Sequence, residues 1–285
     1  MILVTGGAGK TGRAMLRALA LLGAPSRALV RNEGHAAALQ AHGAQEVHVG
    51  DMRDPADLRR AVAGVTAIYH ICPNMHPDEE AIAANLIAAA EANGVERFVY
   101  HSVLHPQTEE MPHHWAKLRV EEQLFRSRLA WTILQPAAYM QNLLAYRAEV
   151  AATGRYRVPY PADTRLGMVD LEDVAAAAAR VLTEEEHDGA IYELSGAQIL
   201  TQHEVAAALA SVLGRPVVAE QIPLDIWEAN ARSAGLSDYA VTTLRKMFDY
   251  YGRYGFWGNP AVLTMLLRRP PATLQQFLAR TARSV

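Results

Sequence analysis

The chain has 285 residues, 51% hydrophobic and 20% charged, with a net charge of −3. That is length enough for one large α/β domain with an appendage, or for two modest domains around a sizeable core. The charge gives no electrostatic case for nucleic acid or an anionic membrane, so neither partner is expected, and the single Cys72 excludes an internal disulfide and a cysteine-based zinc site.

Met1-Ile2-Leu3-Val4 reads as a short buried strand that runs straight into Thr5-Gly6-Gly7-Ala8-Gly9-Lys10-Thr11-Gly12. From Arg13 to Leu22 the apolar residues recur with helical spacing. A strand turning through glycines into a helix aims backbone N–H groups, and the positive end of a helix dipole, at one point suited to a phosphate. The glycines fit two registers, Gly7-x-Gly9-x-x-Gly12 and Gly6-x-x-Gly9-x-x-Gly12. In both, one glycine makes the tight turn, one admits a pyrophosphate to the backbone and one lets the helix pack against the strand. Plain turn chemistry is the competing reading. A nucleoside-triphosphate loop is disfavoured, because that motif needs glycine where this chain has Val4.

Ser26–Val30 is the expected second strand, ending at Arg31. An acidic residue at that position would accept from a free ribose 2′-hydroxyl; a guanidinium pairs instead with a 2′-phosphate, at about 1.5–3 kcal/mol per charge-assisted hydrogen bond. Arg31 therefore points to NADP(H) over NAD, with a solvated surface arginine as the alternative. Gln45–Val49 is the third strand, and Asp54-Pro55 opens the helix after it. Asp51, just beyond that strand, is placed either to contact an adenine or to cap a helix. Thr66–Ile71 is the fourth strand, running into Cys72-Pro73, and a helix follows from about Asp78 to Asn93.

Glu96–His101 is the fifth strand, Trp115–Ser127 a helix and Ala130–Gln135 the sixth strand, halted by Pro136. Six alternations with short connections predict an α/β fold with a doubly wound parallel sheet and sites at the carboxyl ends of its strands. Beyond Pro136, residues 154–166 read as loop with a short strand, Asp170–Val181 and Thr201–Leu213 as helices, Ala190–Leu194 as a strand, and the chain from Pro223 on as helices and tyrosine-rich turns. The expected division is a dinucleotide-binding domain over residues 1–153, with a return to it at about 167–196, and a smaller, mainly helical part over residues 197–285 on the substrate side.

No run approaches the ~18 apolar residues of a spanning helix, and a first strand at Met1 leaves no room for a signal peptide, so the cytoplasm is the expected location.

The chain resembles the NmrA-like group of atypical short-chain dehydrogenase/reductase proteins, which have a Rossmann fold. The resemblance rests on VTGGAGKTGR at residues 4–13, VRN at 30–32, GDMRD at 50–54, ILQPAAYMQNLL at 133–144, VDLEDVAAAAARVL at 169–182, YELSGAQILTQHEVAAALASVLGRPV at 192–217 and RRPPATLQQFL at 268–278. That group includes quinone and dye reductases that use NADPH, and regulators that bind the dinucleotide without obvious turnover. It implies that Gly6, Gly7, Ala8, Gly9, Lys10, Thr11 and Gly12 hold the pyrophosphate and Arg31 the 2′-phosphate. Asp51 and Met52 would flank the adenine, Ile71, Cys72 and Pro73 would line the path to the nicotinamide, and Lys117 would sit by its ribose. Pro136 to Tyr139 would border the nicotinamide, with Tyr139 and Asn142 near a substrate pocket.

The wider dehydrogenase family places a tyrosine four residues before the lysine; this chain has His113, and Ser102 could stand where that family's serine stands. Alcohol dehydrogenase chemistry is therefore not expected. His70, His101, His105, His113 and His114 fall at or just beyond the ends of the fourth and fifth strands. Strand order predicts that several converge, with His113 and His101 the first candidates to protonate an acceptor and Lys117 the third catalytic candidate. The alternatives are polar residues lining a wet cleft and, for Lys117, a solvated helix face. No metal-ligand spacing occurs, so no metal is expected. Two functions follow: an NADPH-dependent reductase of a small flat acceptor such as a quinone or dye, and an NADP(H) sensor acting through a protein partner.

Overall fold

The computed structural model describes residues 1–282. Strands β1 (Ile2–Val4), β2 (Ser26–Val30), β3 (Glu46–Val49), β4 (Ala67–His70), β5 (Arg97–His101) and β6 (Ala130–Pro136) alternate with helices α1 (Lys10–Leu21), α2 (Ala36–Ala41), α3 (Pro55–Ala61), α4 (Glu79–Ala92) and α5 (Pro112–Phe125). They form one sheet in the order β3-β2-β1-β4-β5-β6, with parallel pairing throughout, extended by a seventh strand, Ile191–Leu194, beside β6. Its hydrogen bonds, Ile133 N–H to Ala190 and Ala137 N–H to Leu194, advance by four residues on both segments, so this strand is parallel too. This is the expected doubly wound sheet, with its reversal of strand order at β1/β4.

The central strands are buried on both faces, which is why they read as continuous apolar runs. On one face Leu3, Ile68, Phe98, Tyr100 and Ile133 pack with Leu58 of α3, Ile82 and Leu86 of α4, and Val120 and Leu124 of α5. Each fully buried side chain of this size contributes about 1.5–3 kcal/mol relative to exposure. Asp54 caps α3 by accepting from Ala56 N–H at 2.8 Å, with Pro55 at the first turn.

After β6 come β7 (Ala138–Tyr139), α6 (Arg147–Thr153), β8 (Arg155–Val158), β9 (Leu166–Val169), α7 (Leu171–Thr183), β10 (the Ile191–Leu194 strand), β11 (Ile199–Leu200), α8 (Gln202–Leu213), β12 (Val218–Gln221) and helices α9 (Leu224–Ser233), α10 (Asp238–Tyr254), α11 (Ala261–Leu267) and α12 (Leu274–Ala282). Thr201 caps α8 in a reciprocal pair with Glu204. The C-terminal region is helical as expected, and its short strands β11 and β12 join the earlier β7, β8 and β9 in two small sheets, β11-β9-β7 and β12-β8, of strands only two to four residues long. The chain groups into two compact units. One comprises Met1–Gln107, His114–Pro136 and Glu172–Tyr192; the other comprises Thr108–His113, Ala137–Leu171 and Glu193 onward. No helix among the described residues is long and apolar enough to cross a membrane.

Candidate functional site

The glycine loop leaves β1 at Thr5, which is fully buried and ties the ends of two central strands together. Its hydroxyl donates to Ile71 C=O (3.0 Å), accepts from Ile71 N–H (2.8 Å) and lies 3.0 Å from His70 Nδ1. With its one proton committed to the carbonyl, the hydroxyl accepts from His70, so Nδ1 carries the imidazole proton. His70 Nε2 is then a buried acceptor with no partner.

Gly6 turns the chain at φ +59°, and a Cβ there would meet Ile71 O at 3.2 Å. Gly12, in the first turn of α1, touches the loop so closely that a Cβ would lie 2.4 Å from Gly6 O and 2.6 Å from Gly7 Cα. Of the two registers, Gly6-x-x-Gly9-x-x-Gly12 is the one whose first glycine makes the left-handed turn. Gly9 is the N-cap of α1 and offers no side chain to its N–H groups. The helix therefore presents a bare, positively polarised end over a loop with no side-chain bulk.

Arg31 is exposed at the end of β2 and acts electrostatically on Asp51. Asp51 does not cap α3, which is the work of Asp54. Its carboxylate accepts from the Arg53 guanidinium, at 2.6 Å from Nη2, and from Arg53 N–H at 2.9 Å, which holds it at about 2. Met52 is buried and belongs to the core cluster of this unit. Ile71 and Pro73 are half-buried; Cys72 is buried, and burial, then the negative charge of Glu79, push its thiol far above the ordinary range.

Lys117 is not a solvated lysine. Its Nζ donates to Glu79 Oε1 (2.6 Å) and to His101 C=O (3.3 Å), and it lies 5.3 Å from the centre of the Tyr100 ring. Tyr100 hydroxyl donates to the same Glu79 oxygen at 2.9 Å. Sequence reasoning missed Glu79, although a signal existed: counting back from Ile82, Ala83, Leu86 and Ile87, Glu79 falls on the buried stripe of α4, whereas Glu80 is exposed. Ser102 hydroxyl donates to the buried Glu121 at 2.5 Å, and Gln135 donates to both oxygens of that carboxylate, so the serine is committed within the first unit.

The histidines sit in distinct surroundings, although His70 acts electrostatically on His101 and His114 meets His105. In the β4/β5 register His70 pairs with Tyr100, and their rings stack at 5.7 Å. His101, the next residue along β5, points to the opposite face, where its Nδ1 lies 2.5 Å from Tyr69 hydroxyl. Burial first, then the positive charge of Lys117, lowers both to about 3, so both rings are neutral at neutral pH. His114 is also lowered to about 3, chiefly by burial, with its Nδ1 3.2 Å from His105 C=O. Helix α5 begins at Pro112, three residues earlier than expected, which puts His113 in its first turn. His113 is buried and belongs to the second unit.

Pro136 closes β6. In the second unit, half-buried Tyr139 pairs with Val169 across the β7/β9 ladder and Asn142 is exposed. Between them Gln141 donates to buried Asp170 at 2.8 Å, and Asp170 also pairs with Arg280 of α12.

The NmrA-like family matches residues 1–278. The chain is 33% identical over 279 residues to an NAD(P)H azoreductase of Xenophilus azovorans, covering 97% of this chain and 96% of the relative. Among solved structures, the NADPH-dependent quinone oxidoreductase QOR2 of Escherichia coli complexed with NADPH superposes with a TM-score of 0.87 at 29% identity, over 99% of each chain. A Citrobacter sp. triphenylmethane reductase complexed with NADP(H) gives 0.86 at 26% identity, over 98% of this chain and 99% of that one. This chain belongs to the NmrA-like family.

Proposed function

We propose that the protein binds NADP(H) and reduces a small flat acceptor, a quinone or a dye, by hydride transfer. The observation that carries this is the cradle: a loop held free of side-chain atoms at Gly6 and Gly12 beneath the uncapped start of α1. The residues fit a dinucleotide. Gly6, Gly7, Ala8, Gly9, Lys10, Thr11 and Gly12 would hold the pyrophosphate, exposed Arg31 the 2′-phosphate, and Asp51 and Met52 the adenine side. Ile71, Cys72 and Pro73 would line the path to the nicotinamide, Lys117 would sit by its ribose, Pro136 to Tyr139 would border the ring, and Tyr139 and Asn142 would lie near the acceptor.

NADPH, when bound, supplies hydride from the nicotinamide ring. The chain's own residues bind, orient and exclude water. Electron-poor acceptors need little acid at the hydride step, which suits a site whose His101 ring is neutral and buried. The names of the azoreductase, the quinone oxidoreductase and the triphenylmethane reductase support this choice of acceptor. Titration with NADPH, followed by NADPH oxidation against a panel of quinones and cationic dyes, tests it; turnover with at least one acceptor is expected, and silence across the panel contradicts it.

A second reading has its own observation. With His113 in place of the tyrosine and the Ser102 hydroxyl committed to Glu121, the usual proton-transfer groups are gone. An NADP(H) sensor would bind the nucleotide tightly, oxidise none of it and capture a protein partner.

A further inference from the structure

We propose that Glu79 is a positioning residue: it holds the Lys117 ammonium in one pose at the carboxyl ends of β4 and β5, with one N–H left to a bound ligand. The inference rests on the NADP(H) reading above for the identity of that ligand.

Three groups define the seat. Glu79 Oε1 and His101 C=O each accept one ammonium proton, and the face of Tyr100 lies against the charge. An ammonium has three protons, so one remains. The carboxylate is itself fixed: it takes a second hydrogen bond, from Tyr100 hydroxyl, and occupies the first turn of α4, where the helix dipole favours an anion.

Exposure gives the pair a direction. The Glu79 side chain is 3% exposed and that of Lys117 16%, so the carboxylate is the sealed end and the ammonium the open one. An ion pair serving stability alone has no need of an open end, and a buried pair commonly contributes little net stability against an apolar replacement. What sealing the carboxylate does secure is a single location for the ammonium.

The seat is also continuous with the cradle within the same unit. Tyr100 stacks on His70, and His70 bonds to Thr5, the residue from which the glycine loop departs. The loop and the lysine are thus referenced to one another through three packed side chains, as binding two parts of one dinucleotide requires.

The test uses the full chain with [ε-13C]lysine. There are only three lysines, Lys10, Lys117 and Lys246, so Lys10→Arg and Lys246→Arg assign the signals. In the wild type the Lys117 ε-protons should be displaced upfield by the Tyr100 ring; in Glu79→Gln that displacement should collapse, and Glu79→Asp should recover part of it. Those spectra require no nucleotide and so judge the seat separately from the NADP(H) reading. In kinetics, Glu79→Gln should weaken NADPH binding or lower kcat about tenfold, with the acceptor KM within about twofold and partial rescue by Glu79→Asp. A Lys117 signal unmoved in Glu79→Gln, or a folded Glu79→Gln variant with wild-type NADPH affinity and kcat, overturns the proposal. If Glu79→Gln does not fold, Glu79→Asp decides by the same signal and constants: a partial shift in both supports the seat, and none refutes it. A wild type that shows the displaced signal but ignores NADPH refutes the functional reading and leaves the seat standing.

Discussion

The glycine cradle and the Lys117 seat lie in the same unit but are made of different material. The cradle is backbone, its tight turn and its close packing of loop on helix permitted by the side-chain atoms missing at Gly6 and Gly12. The seat is side chain, assembled from Glu79, Tyr100 and Lys117 on three elements. A backbone device fails when atoms are added, and a side-chain device fails when charge is removed. Substitutions of the two kinds should therefore leave different signatures.

The largest effect is expected at Gly12. In Gly12→Val the Cβ alone would stand 2.4 Å from Gly6 O, so the loop or the helix must move. NADPH affinity should fall by more than about a hundredfold and Tm by several degrees, since forced overpacking costs about 1–3 kcal/mol or more. Calorimetric titration and a thermal melt check both. Wild-type affinity in this variant would break the account of the cradle.

Acid should strain both regions, because His70 abuts the cradle and His101 lies at the seat. His70, His101 and His114 sit near 3 when folded, against about 6.5 in the unfolded chain. Below pH 6.5 the unfolded chain therefore binds more protons than the folded one, and stability, full above that pH, is lost as pH falls. Three such groups cost about 4 kcal/mol in total at pH 5.5. Urea unfolding at pH 7.5 and 5.5 measures it; equal midpoints would contradict the neutral, buried assignments.

The same contrast explains what could be read in advance. Backbone devices leave marks in the residue string: the glycines of the cradle, Asp54-Pro55 at the start of α3, and Thr201 with Glu204 at the start of α8. The seat left little, since Glu79 and Glu80 stand side by side and only helical phase separates the buried one from the exposed one. Histidines near neighbouring strand ends do not announce their facing; alternation of side chains along β4 and β5 sends His70 and His101 to opposite faces. The small sheets of the second unit, with strands as short as Ala138–Tyr139, are too brief to show a period of two.

On the proposal that Arg31 pairs with the 2′-phosphate, Arg31→Ser should weaken NADPH binding about tenfold or more while leaving NADH nearly unchanged. Equal losses for both nucleotides would move the phosphate contact elsewhere. The smallest effect is expected for Tyr100→Phe, which removes one hydrogen bond to Glu79 but leaves the ion pair. Stability should fall by about 1–2 kcal/mol with NADPH affinity within about threefold, which would separate the charge from the hydroxyl as the element that holds Lys117.

The most direct measurement is a calorimetric titration of the wild-type chain with NADPH and, in parallel, NADH. A cradle for a pyrophosphate beside an exposed arginine predicts one site per chain that takes NADPH at least about tenfold more tightly than NADH. No heat with either nucleotide at millimolar concentration would contradict it.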